Sequence, residues 1–283
     1  MELITSVEQM QRRCLDERQA GNTISFVPTM GFLHQGHLSL LEEGRERGDL
    51  LVLSIFVNPA QFGVGEDFEE YPRDLQQDSR LAEQCGVDIL FAPEVKQMYP
   101  AGYACYVDVE RITEPLCGAS RPGHFRGVST VVNKLFNIVQ PHVALFGCKD
   151  FQQLAVIRQM VSDLNMPVEI IGMPIVREPD GLAMSSRNVY LTPEQRLQAL
   201  TLSAVLTQSR DRVRAGERDA KTLLAAARKQ IDALPDARLD YLQICHQHSL
   251  EEVANVDEDS VMLLAVFVGD TRLIDNSYLL DVS

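Results

Sequence analysis

The stretch ISFVPTMGFLHQGHLSLLEEGRERGDLLVLSIFVN, residues 24–58, has the pattern of a strand, a helix and a second strand. Residues 24–29 form a short apolar run, and residues 50–58 are almost continuously aliphatic, which is typical of a strand covered on both faces. Between these runs, residues 38–41 place apolar side chains on one face of a helix ahead of a charged segment. Two strands joined through a helix predict a βαβ unit, and therefore a parallel sheet.

The same alternation of strands and helices continues to about residue 176. It predicts a Rossmann-like α/β fold, in which helices cover both faces of a parallel sheet and the crossovers are right-handed. Further strands are predicted at 87–93, 142–147 and 168–176, and further helices at 74–86, 126–141 and 149–165.

The chain changes character after this alternation ends. Two long helical patterns follow, and the first begins at Thr192, ahead of a proline and a glutamate in the positions that start helices. Three strand-like runs come last, and the final two are joined near Gly269. On this shift we expect a Rossmann-like domain over residues 1–176 and a smaller C-terminal α+β domain over residues 177–283, with the MSSRN loop, 184–188, at the junction.

Composition excludes several classes of function. Forty acidic residues against 26 basic ones give a net charge of −14, and the basic residues are scattered, so we expect no nucleic-acid partner. No apolar run approaches the ~18 residues of a membrane-spanning helix, so we expect no membrane span. The six cysteines lie far apart, and the N-terminal segment lacks the apolar core of a signal peptide. Reduced thiols in the cytoplasm are therefore expected.

Polar residues cluster where strands are predicted to end, which is where parallel α/β sheets bind ligands. The first cluster is PTMGFLHQGH, residues 28–37. Gly31 and Gly36 allow close approach of the backbone to a ligand, and a helix that begins here offers free N–H groups to phosphate. His34 and His37 can donate hydrogen bonds to phosphate oxygens and, when protonated, neutralise developing charge. The alternative is a helix start with two surface histidines.

A second cluster lies at the predicted domain junction, in GLAMSSRNVYLT. Ser185, Ser186 and Arg187 offer two hydroxyls and a guanidinium in one loop, which suits a clamp on a triphosphate. The same residues are also common in a simpler structural role, in which the serines cap a helix and the arginine faces solvent. The sequence of this segment alone leaves both interpretations open.

A third cluster, FGCKDFQQ, again follows a predicted strand and opens a helix. Gly147 permits close approach, Lys149 supplies a point charge for phosphate, and Asp150 can accept a hydrogen bond from a ribose hydroxyl. Gln153 lies one turn into the helix, on the side of the same crevice. The alternative is a capped helix with an exposed lysine.

Two further segments complete the set. Asn58 and Gln61 follow the strand at 50–58, and their neutral amides can hold a polar, uncharged part of a ligand. Arg121 lies in a loop rich in glycine and proline, where it either holds an anion or belongs to a solvated connection. Each segment is weak evidence alone, but their shared location at strand ends predicts one nucleotide-binding crevice.

The chain resembles the pantothenate synthetase (pantoate–β-alanine ligase) family in a series of long strings. The resemblance runs from about residue 24 to 190 and reappears in GDTRLIDN near the C-terminus. That family belongs to the nucleotidyltransferases related to class I aminoacyl-tRNA synthetases, and HQGH and MSSRN are similar to their two signature motifs. The strings that carry the resemblance are PTMGFLHQGH, SIFVNPAQF, YPRDLQQD, SRPGHFRGVSTVVNKLFNIVQP, FGCKDFQQL and MSSRN.

The resemblance implies an ATP-dependent ligation of (R)-pantoate and β-alanine to pantothenate, through a pantoyl adenylate, with release of AMP and pyrophosphate. This reaction serves the biosynthesis of vitamin B5 and coenzyme A. The resemblance also implies Mg²⁺ as a cofactor alongside the substrate ATP, small molecules as the only other ligands, and a homodimer.

The resemblance also assigns roles to residues of this chain. It implies that His37 is the proton donor, with His34, Lys149 and Arg187 as the other catalytic residues. Asp78 is the expected protein contact for Mg²⁺. The third motif of the family usually has an acid where this chain has Cys148, which matters only if that side chain helps to orient Lys149. The ATP site is expected to comprise Met30, Gly31, His34, His37, Gly147, Lys149, Asp150, Val176, Met184, Ser185, Ser186 and Arg187, and the substrate site Gln61, Gln153, Asn58 and Arg121.

Two other functions remain open from the sequence. One is an adenylyl- or cytidylyltransferase that acts on another acid; it is disfavoured by the amides of Asn58, Gln61 and Gln153, because a phosphorylated substrate calls for more arginine and lysine. The other is a nucleotide sensor without catalysis. In addition, glycines and acids between apolar anchors in residues 62–71 predict a loop that closes over the bound intermediate.

Overall fold

The structure is a computed structural model that describes residues 1–280. Its larger part is a six-stranded sheet in which every pair of neighbours is parallel, in the order β1-β4-β3-β2-β5-β6. The predicted α/β fold is therefore confirmed. The strands are β1 (Glu2–Ile4), β2 (Ile24–Thr29), β3 (Leu50–Ile55), β4 (Ile89–Phe91), β5 (Val143–Gly147) and β6 (Glu169–Met173).

The strand order reverses between β2 and β5. The chain moves outward from β2 through β3 to β4, and then returns to add β5 and β6 on the other side of β2. The connections that leave the carboxyl ends of β2 and β5 therefore run to opposite sides and leave a crevice between them. The sequences at these two ends are the HQGH and GCKD segments.

Helices cover both faces of this sheet because its strands alternate apolar side chains between two cores. Phe26 packs edge-on against Phe136, with ring centroids 6.5 Å apart, in the core shared with α1, α6 and α7. Its neighbour Val27 belongs to the opposite core, with α2 and α3. The helices are α1 (Val7–Gln19), α2 (Gln35–Arg47), α3 (Leu75–Gln84), α4 (Val95–Met98), α5 (Cys117–Ser120), α6 (His124–Val139) and α7 (Phe151–Asp163).

Two features differ from the sequence predictions. The strand predicted at 50–58 ends at Ile55, because Asn58 then caps a short 3-10 turn at Pro59–Gln61. The edge strand β1 was not predicted; it has only three residues, and it is recognised as a strand through its pairing with β4, for example Glu2 with Ile89. Such short edge strands carry little local signal.

The C-terminal part is an antiparallel sheet in the order β7-β8-β9, covered by two helices that share a separate apolar core with it. As predicted, a turn at Gly269 joins the last two strands, and its φ of 58° lies in the left-handed region that glycine adopts readily. The parallel sheet ends at Met173; the domain boundary at residues 176 and 177 stays a prediction. The elements are α8 (Pro193–Arg214), α9 (Ala220–Ile231), β7 (Ala237–His246), β8 (Ser260–Val268) and β9 (Thr271–Tyr278).

Within residues 1–280, none of the helices combines the length and the apolar character that crossing a membrane requires.

A close contact between α6 and the Pro59–Gln61 turn gives a stability prediction. A Cβ added at Gly127 would lie 2.2 Å from the carbonyl oxygen of Ala60, so Gly127→Ala must push the turn away. We expect a loss of about 1–3 kcal/mol in the free energy of unfolding, as for other overpacked sites. Urea denaturation measures it, with Gly147→Ala as the control because a Cβ there meets no atom within 4 Å. Equal stability of the two variants would contradict the prediction.

Candidate active site

The crevice between the ends of β2 and β5 forms a cleft. It gathers most of the residues predicted for the ATP and substrate sites, from segments as distant as the HQGH turn and the MSSRN loop. Three predicted residues lie outside its lining: Gly31, Asp78 and Arg121. The predicted residues that line the cleft are Met30, His34, His37, Asn58, Gln61, Gly147, Lys149, Asp150, Gln153, Val176, Met184, Ser185, Ser186 and Arg187.

The two histidines cap the N-terminus of α2 reciprocally. His34 Nδ1 accepts a hydrogen bond from the backbone N–H of Gly36 at 3.1 Å, and His37 Nδ1 accepts one from the N–H of His34 at 3.3 Å. The imidazole rings stack at a centroid distance of 4.1 Å. Because each Nδ1 is an acceptor, a neutral ring must carry its proton on Nε2. Both imidazoles are therefore held as Nε2–H donors beside the cleft.

Burial decides the charge of this pair. Burial is the largest cause and the nearby ammonium of Lys149 contributes, so that the pKa of His37 is lowered to about 3 and that of His34 to about 4. Both rings are thus neutral at pH 7. In the unliganded protein the two rings are therefore neutral hydrogen-bond donors, and the positive charge considered from the sequence would require a protonated ring.

The loop that precedes the histidines is held by Asp78 from α3. The carboxylate accepts hydrogen bonds from the backbone N–H groups of Phe32 and Leu33, at 2.8 and 2.7 Å. Phe32 has a φ of 53°, a left-handed conformation that these bonds help to fix. Gly31 is confined too, because a Cβ there would lie 2.9 Å from Asp78 Oδ2. Asp78, which is 2% exposed, therefore supports the loop from beneath and does not face the cleft.

Lys149 supplies the cationic group at the end of β5. Within residues 1–280, no carboxylate oxygen lies within 4 Å of its ammonium, and burial lowers its pKa. The short turn that carries it, Cys148–Asp150, is held by Asn276 of β9, whose Nδ2 donates to the carbonyls of Cys148 and Lys149 at 2.9 and 3.0 Å. An unpaired, partly desolvated ammonium is prepared for an anionic ligand. This role of Asn276 was not predicted, because the contact spans more than 120 residues of the chain.

The side chain of Cys148 faces away from the cleft. A Cβ added at Gly172 on the neighbouring strand β6 would lie 3.1 Å from Cys148 Sγ, and burial raises the pKa of the thiol. The thiol does not line the cleft. Of the two possibilities left by the sequence, the structure therefore favours the one in which this substitution does not act on Lys149.

Two neighbouring acids of the 62–71 loop neutralise two arginines. Asp67 accepts two hydrogen bonds from Arg187, each at 2.8 Å, and Glu66 accepts two from Arg121, at 2.7 and 2.6 Å. Tyr71, which no sequence argument had assigned to the site, lines the cleft with its ring beneath the guanidinium of Arg187. The loop therefore closes one side of the cleft through ion pairs, whereas its mobility stays a prediction.

Arg121 lies in a smaller chamber that adjoins the cleft. The two cavities share the side chains of Lys149, Gln153 and Arg187. The guanidinium of Arg121 lines this second cavity together with Gln153 and donates to the carbonyl of Gln61 at 3.2 Å, so its place beside the substrate amides stays a prediction.

The remaining wall of the cleft is apolar. Val128, Val131, Val132 and Leu135 of α6 line it together with the amides of Gln61 and Gln153. The sequence predicted α6 as a helix but not as a wall of the site, because its apolar residues also form the core and the pattern does not separate the two uses.

Metal ligands do not converge anywhere in the part of the chain that the structure describes: residues 1–280 contain no group of three or more histidine, cysteine, aspartate or glutamate side chains that could hold a metal ion.

Comparison with known proteins gives a consistent result. A family model described as pantoate-beta-alanine ligase matches residues 2–278. The pantothenate synthetases of Syntrophotalea carbinolica and Geobacter sulfurreducens are 59% and 57% identical to this chain, and each match covers 99% of both sequences. Among solved structures, the pantothenate synthetase of Thermus thermophilus aligns over 99% of both chains, with a TM-score of 0.94 and 46% identity. The pantoate-beta-alanine ligase of Francisella tularensis, complexed with beta-gamma ATP and beta-alanine, aligns over 99% of this chain and 98% of its own, with a TM-score of 0.81 and 34% identity.

The lowered histidine pKa values predict a pH-dependent stability. Between about pH 4 and the unfolded-state pKa of about 6.5, the unfolded chain binds protons that the folded chain excludes, so stability falls as the pH falls through this window. We expect His37→Gln to flatten that dependence, measured by urea denaturation at pH 7.5 and 5.0. His248→Gln, at an exposed position, is the control and should keep the wild-type slope. A wild-type slope in His37→Gln would refute the assignment.

The ion pair between Asp67 and Arg187 gives a binding prediction. An anion that uses Arg187 must compete with the carboxylate, so we expect Asp67→Asn to lower the dissociation constant for ATP about three- to tenfold. The measurement is calorimetric titration with ATP. Glu69→Gln removes the same charge from an exposed position of the same loop and should change the constant by less than twofold. Equal effects of the two substitutions would mean that only net charge matters.

Proposed function

This chain belongs to the pantoate–β-alanine ligase family and is an enzyme of that type in pantothenate biosynthesis, and we propose that the cleft between β2 and β5 carries out the ligation in two steps. First, a carboxylate oxygen of pantoate attacks the α-phosphorus of ATP, pyrophosphate leaves and pantoyl adenylate remains. The amine of β-alanine then attacks the acyl carbon, AMP leaves, and the nitrogen loses a proton to give the amide. Adenylation is needed because a free carboxylate has no adequate leaving group.

The proposed position of ATP follows from the donors around the cleft. Its phosphates would lie at the N-terminus of α2, where the Nε2–H groups of His34 and His37 and the ammonium of Lys149 meet. The convergence of these three groups at the reversal of strand order is the observation that carries the proposal. Ser185, Ser186 and Arg187 would contact the outer phosphates from the facing loop, and Gly147, Asp150, Val176, Met30 and Met184 would surround the nucleoside.

In this arrangement the histidines stabilise charge without carrying it. Charge grows on the oxygens of the α-phosphate as pantoate attacks, and fixed N–H donors stabilise it without reorganisation. We assign this role to His37 and His34, because backbone hydrogen bonds already fix which nitrogen bears the proton. A neutral His37 has no acidic proton to give, so the proton-donor role that the family resemblance implies would require its ring to be protonated once the triphosphate is bound.

The proposed position of pantoate follows from the apolar wall that α6 forms. Pantoate combines two methyl groups with two hydroxyls and a carboxylate, so it needs an apolar surface beside neutral hydrogen-bond donors. The valines of α6 provide the surface, and the amides of Gln61 and Gln153 provide donors, with Asn58 behind Gln61. A phosphorylated substrate would instead require additional cations on this side. This composition favours pantoate over the substrates of other nucleotidyltransferases.

Mg²⁺ fits this site only as part of MgATP. Magnesium prefers oxygen ligands and usually keeps water and substrate phosphates, so the lack of a ligand cluster in residues 1–280 is compatible with it. Bound in this way, the ion would neutralise phosphate charge. Asp78 is a poor candidate as its contact, because the carboxylate is buried beneath the loop and already accepts two backbone hydrogen bonds.

We further propose a cytoplasmic homodimer with no nucleic-acid partner. Six free cysteines support a reducing compartment, the net charge of −14 opposes nucleic-acid binding, and the family resemblance supports the dimer. Sedimentation equilibrium tests the dimer directly.

The two-step reaction predicts a partial exchange. With ATP, Mg²⁺ and pantoate but no β-alanine, the protein should move labelled pyrophosphate into ATP, and AMP should accumulate with turnover only after β-alanine is added. We expect His37→Ala to slow both reactions by about two to three powers of ten, the effect of losing one preorganised donor. AMP formation that does not depend on both acids would refute the proposal, and full activity of His37→Ala would refute the role of this histidine.

A further inference from the structure

All donor and acceptor positions of the Asn58 side chain are satisfied by other groups of the protein. Its Oδ1 accepts from the hydroxyl of Tyr99 at 2.7 Å and from the N–H of Ala60 at 3.3 Å. Its Nδ2 donates to Gln61 Oε1 at 3.0 Å and to the carbonyl of Gly127 at 3.1 Å. An amide has two donor hydrogens and two acceptor positions, so none remains for a ligand. Asn58, which is 1% exposed, therefore has no group left with which to contact a ligand directly.

The polarity of this amide is fixed by its surroundings. A carbonyl of α6 can only accept and the N–H of Ala60 can only donate, so the oxygen and nitrogen of Asn58 cannot exchange places without facing like partners. Gln61 must consequently turn Oε1 toward Asn58. Its Nε2 then faces the cleft, 3.2 Å from Met30 Sδ, with hydrogens to donate.

Tyr99 provides the last donor of this hydrogen-bond network and does not line the cleft. It follows α4, its ring packs against Phe56 and Tyr103 at centroid distances of 6.3 and 5.0 Å, and its hydroxyl makes the shortest contact to Asn58. Burial raises the pKa of Tyr99, so its hydroxyl keeps its proton and remains a donor at neutral pH.

We propose that Tyr99 is a positioning residue that, through Asn58, holds Gln61 with its N–H groups toward an oxygen of pantoate. The inference rests on the proposed function. It extends that function by fixing Gln61 as a donor: the site should accept a hydroxyl or carboxylate oxygen at this position and reject an analogue that carries an ammonium group there. Removing a buried donor leaves an acceptor of Asn58 unpaired and loosens the amide of Gln61.

The first experiment removes only the hydroxyl. In Tyr99→Phe we expect the dissociation constant for pantoate, measured by calorimetry, to rise about three- to tenfold, with a matching rise in KM for pantoate and no change in KM for ATP. Tyr103→Phe is the matched control, because Tyr103 packs on the same ring and lies outside the hydrogen-bond chain. Its pantoate constant should stay at the wild-type value.

The second experiment reverses the polarity of the amide. Asn58→Asp presents an acceptor to Gln61 Oε1 at neutral pH, so Gln61 should turn its own oxygen to the cleft and pantoate should bind at least thirtyfold more weakly. A buried carboxyl has a raised pKa, so acidification should restore a donor. We therefore expect the pantoate affinity of Asn58→Asp to recover between pH 8 and 5.5 relative to wild type while its affinity for ATP stays constant, whereas a pH-dependent loss of structure, for example from repulsion of the Gly127 carbonyl, would move both.

The outcomes separate the two proposals. Wild-type protein that fails to bind pantoate would refute the proposed function. Wild-type binding together with an unchanged constant in Tyr99→Phe, or with no recovery of Asn58→Asp on acidification, would refute only the positioning role. Equal weakening of pantoate and ATP binding in Tyr99→Phe would also refute it, since a general loss of structure would then explain both.

Discussion

The reversal of strand order between β2 and β5 is the constraint on which the site depends. It requires the connections after these two strands to diverge, and the gap that they leave is bordered by the start of α2 on one side and by the Cys148–Asp150 turn on the other. No local feature of either segment creates the cleft. Residues more than 110 positions apart become neighbours because β2 pairs on one side with β3, the next strand in the chain, and on the other side with the distant β5.

Given the cleft, backbone groups decide what its side chains can do. His34 and His37 satisfy N–H groups at the start of α2, which otherwise have no partner within the helix, and this capping fixes their tautomer. Carbonyl and N–H groups near Asn58 fix the orientation of its amide in the same way. Helix capping and turn geometry, which are local requirements of folding, thus set the direction in which donors point at the cleft.

The sequence predicted those parts of the molecule that local pattern determines. The β2–α2–β3 unit, α6 and the polar segments at strand ends all have periodicity or turn chemistry of their own. The edge strand β1 lacks such a signal, because its three residues become a strand only beside β4. The partners of the site side chains were missed for the same reason: the contacts of Asn276 with the Cys148–Asp150 turn and of Asp67 with Arg187 join segments 120 or more residues apart.

Electrostatics explains why the site combines neutral and paired groups. A chain with a net charge of −14 must attract a triphosphate, yet several unpaired cations buried together would destabilise the empty cleft. Three features of the cleft satisfy both conditions. The ammonium of Lys149 has no close carboxylate within residues 1–280, and Arg187 is paired with Asp67. The imidazoles are neutral and act as hydrogen-bond donors. A phosphate that binds Arg187 displaces the carboxylate of Asp67. Occupation of the proposed ATP site therefore removes an ion pair that holds the 62–71 loop.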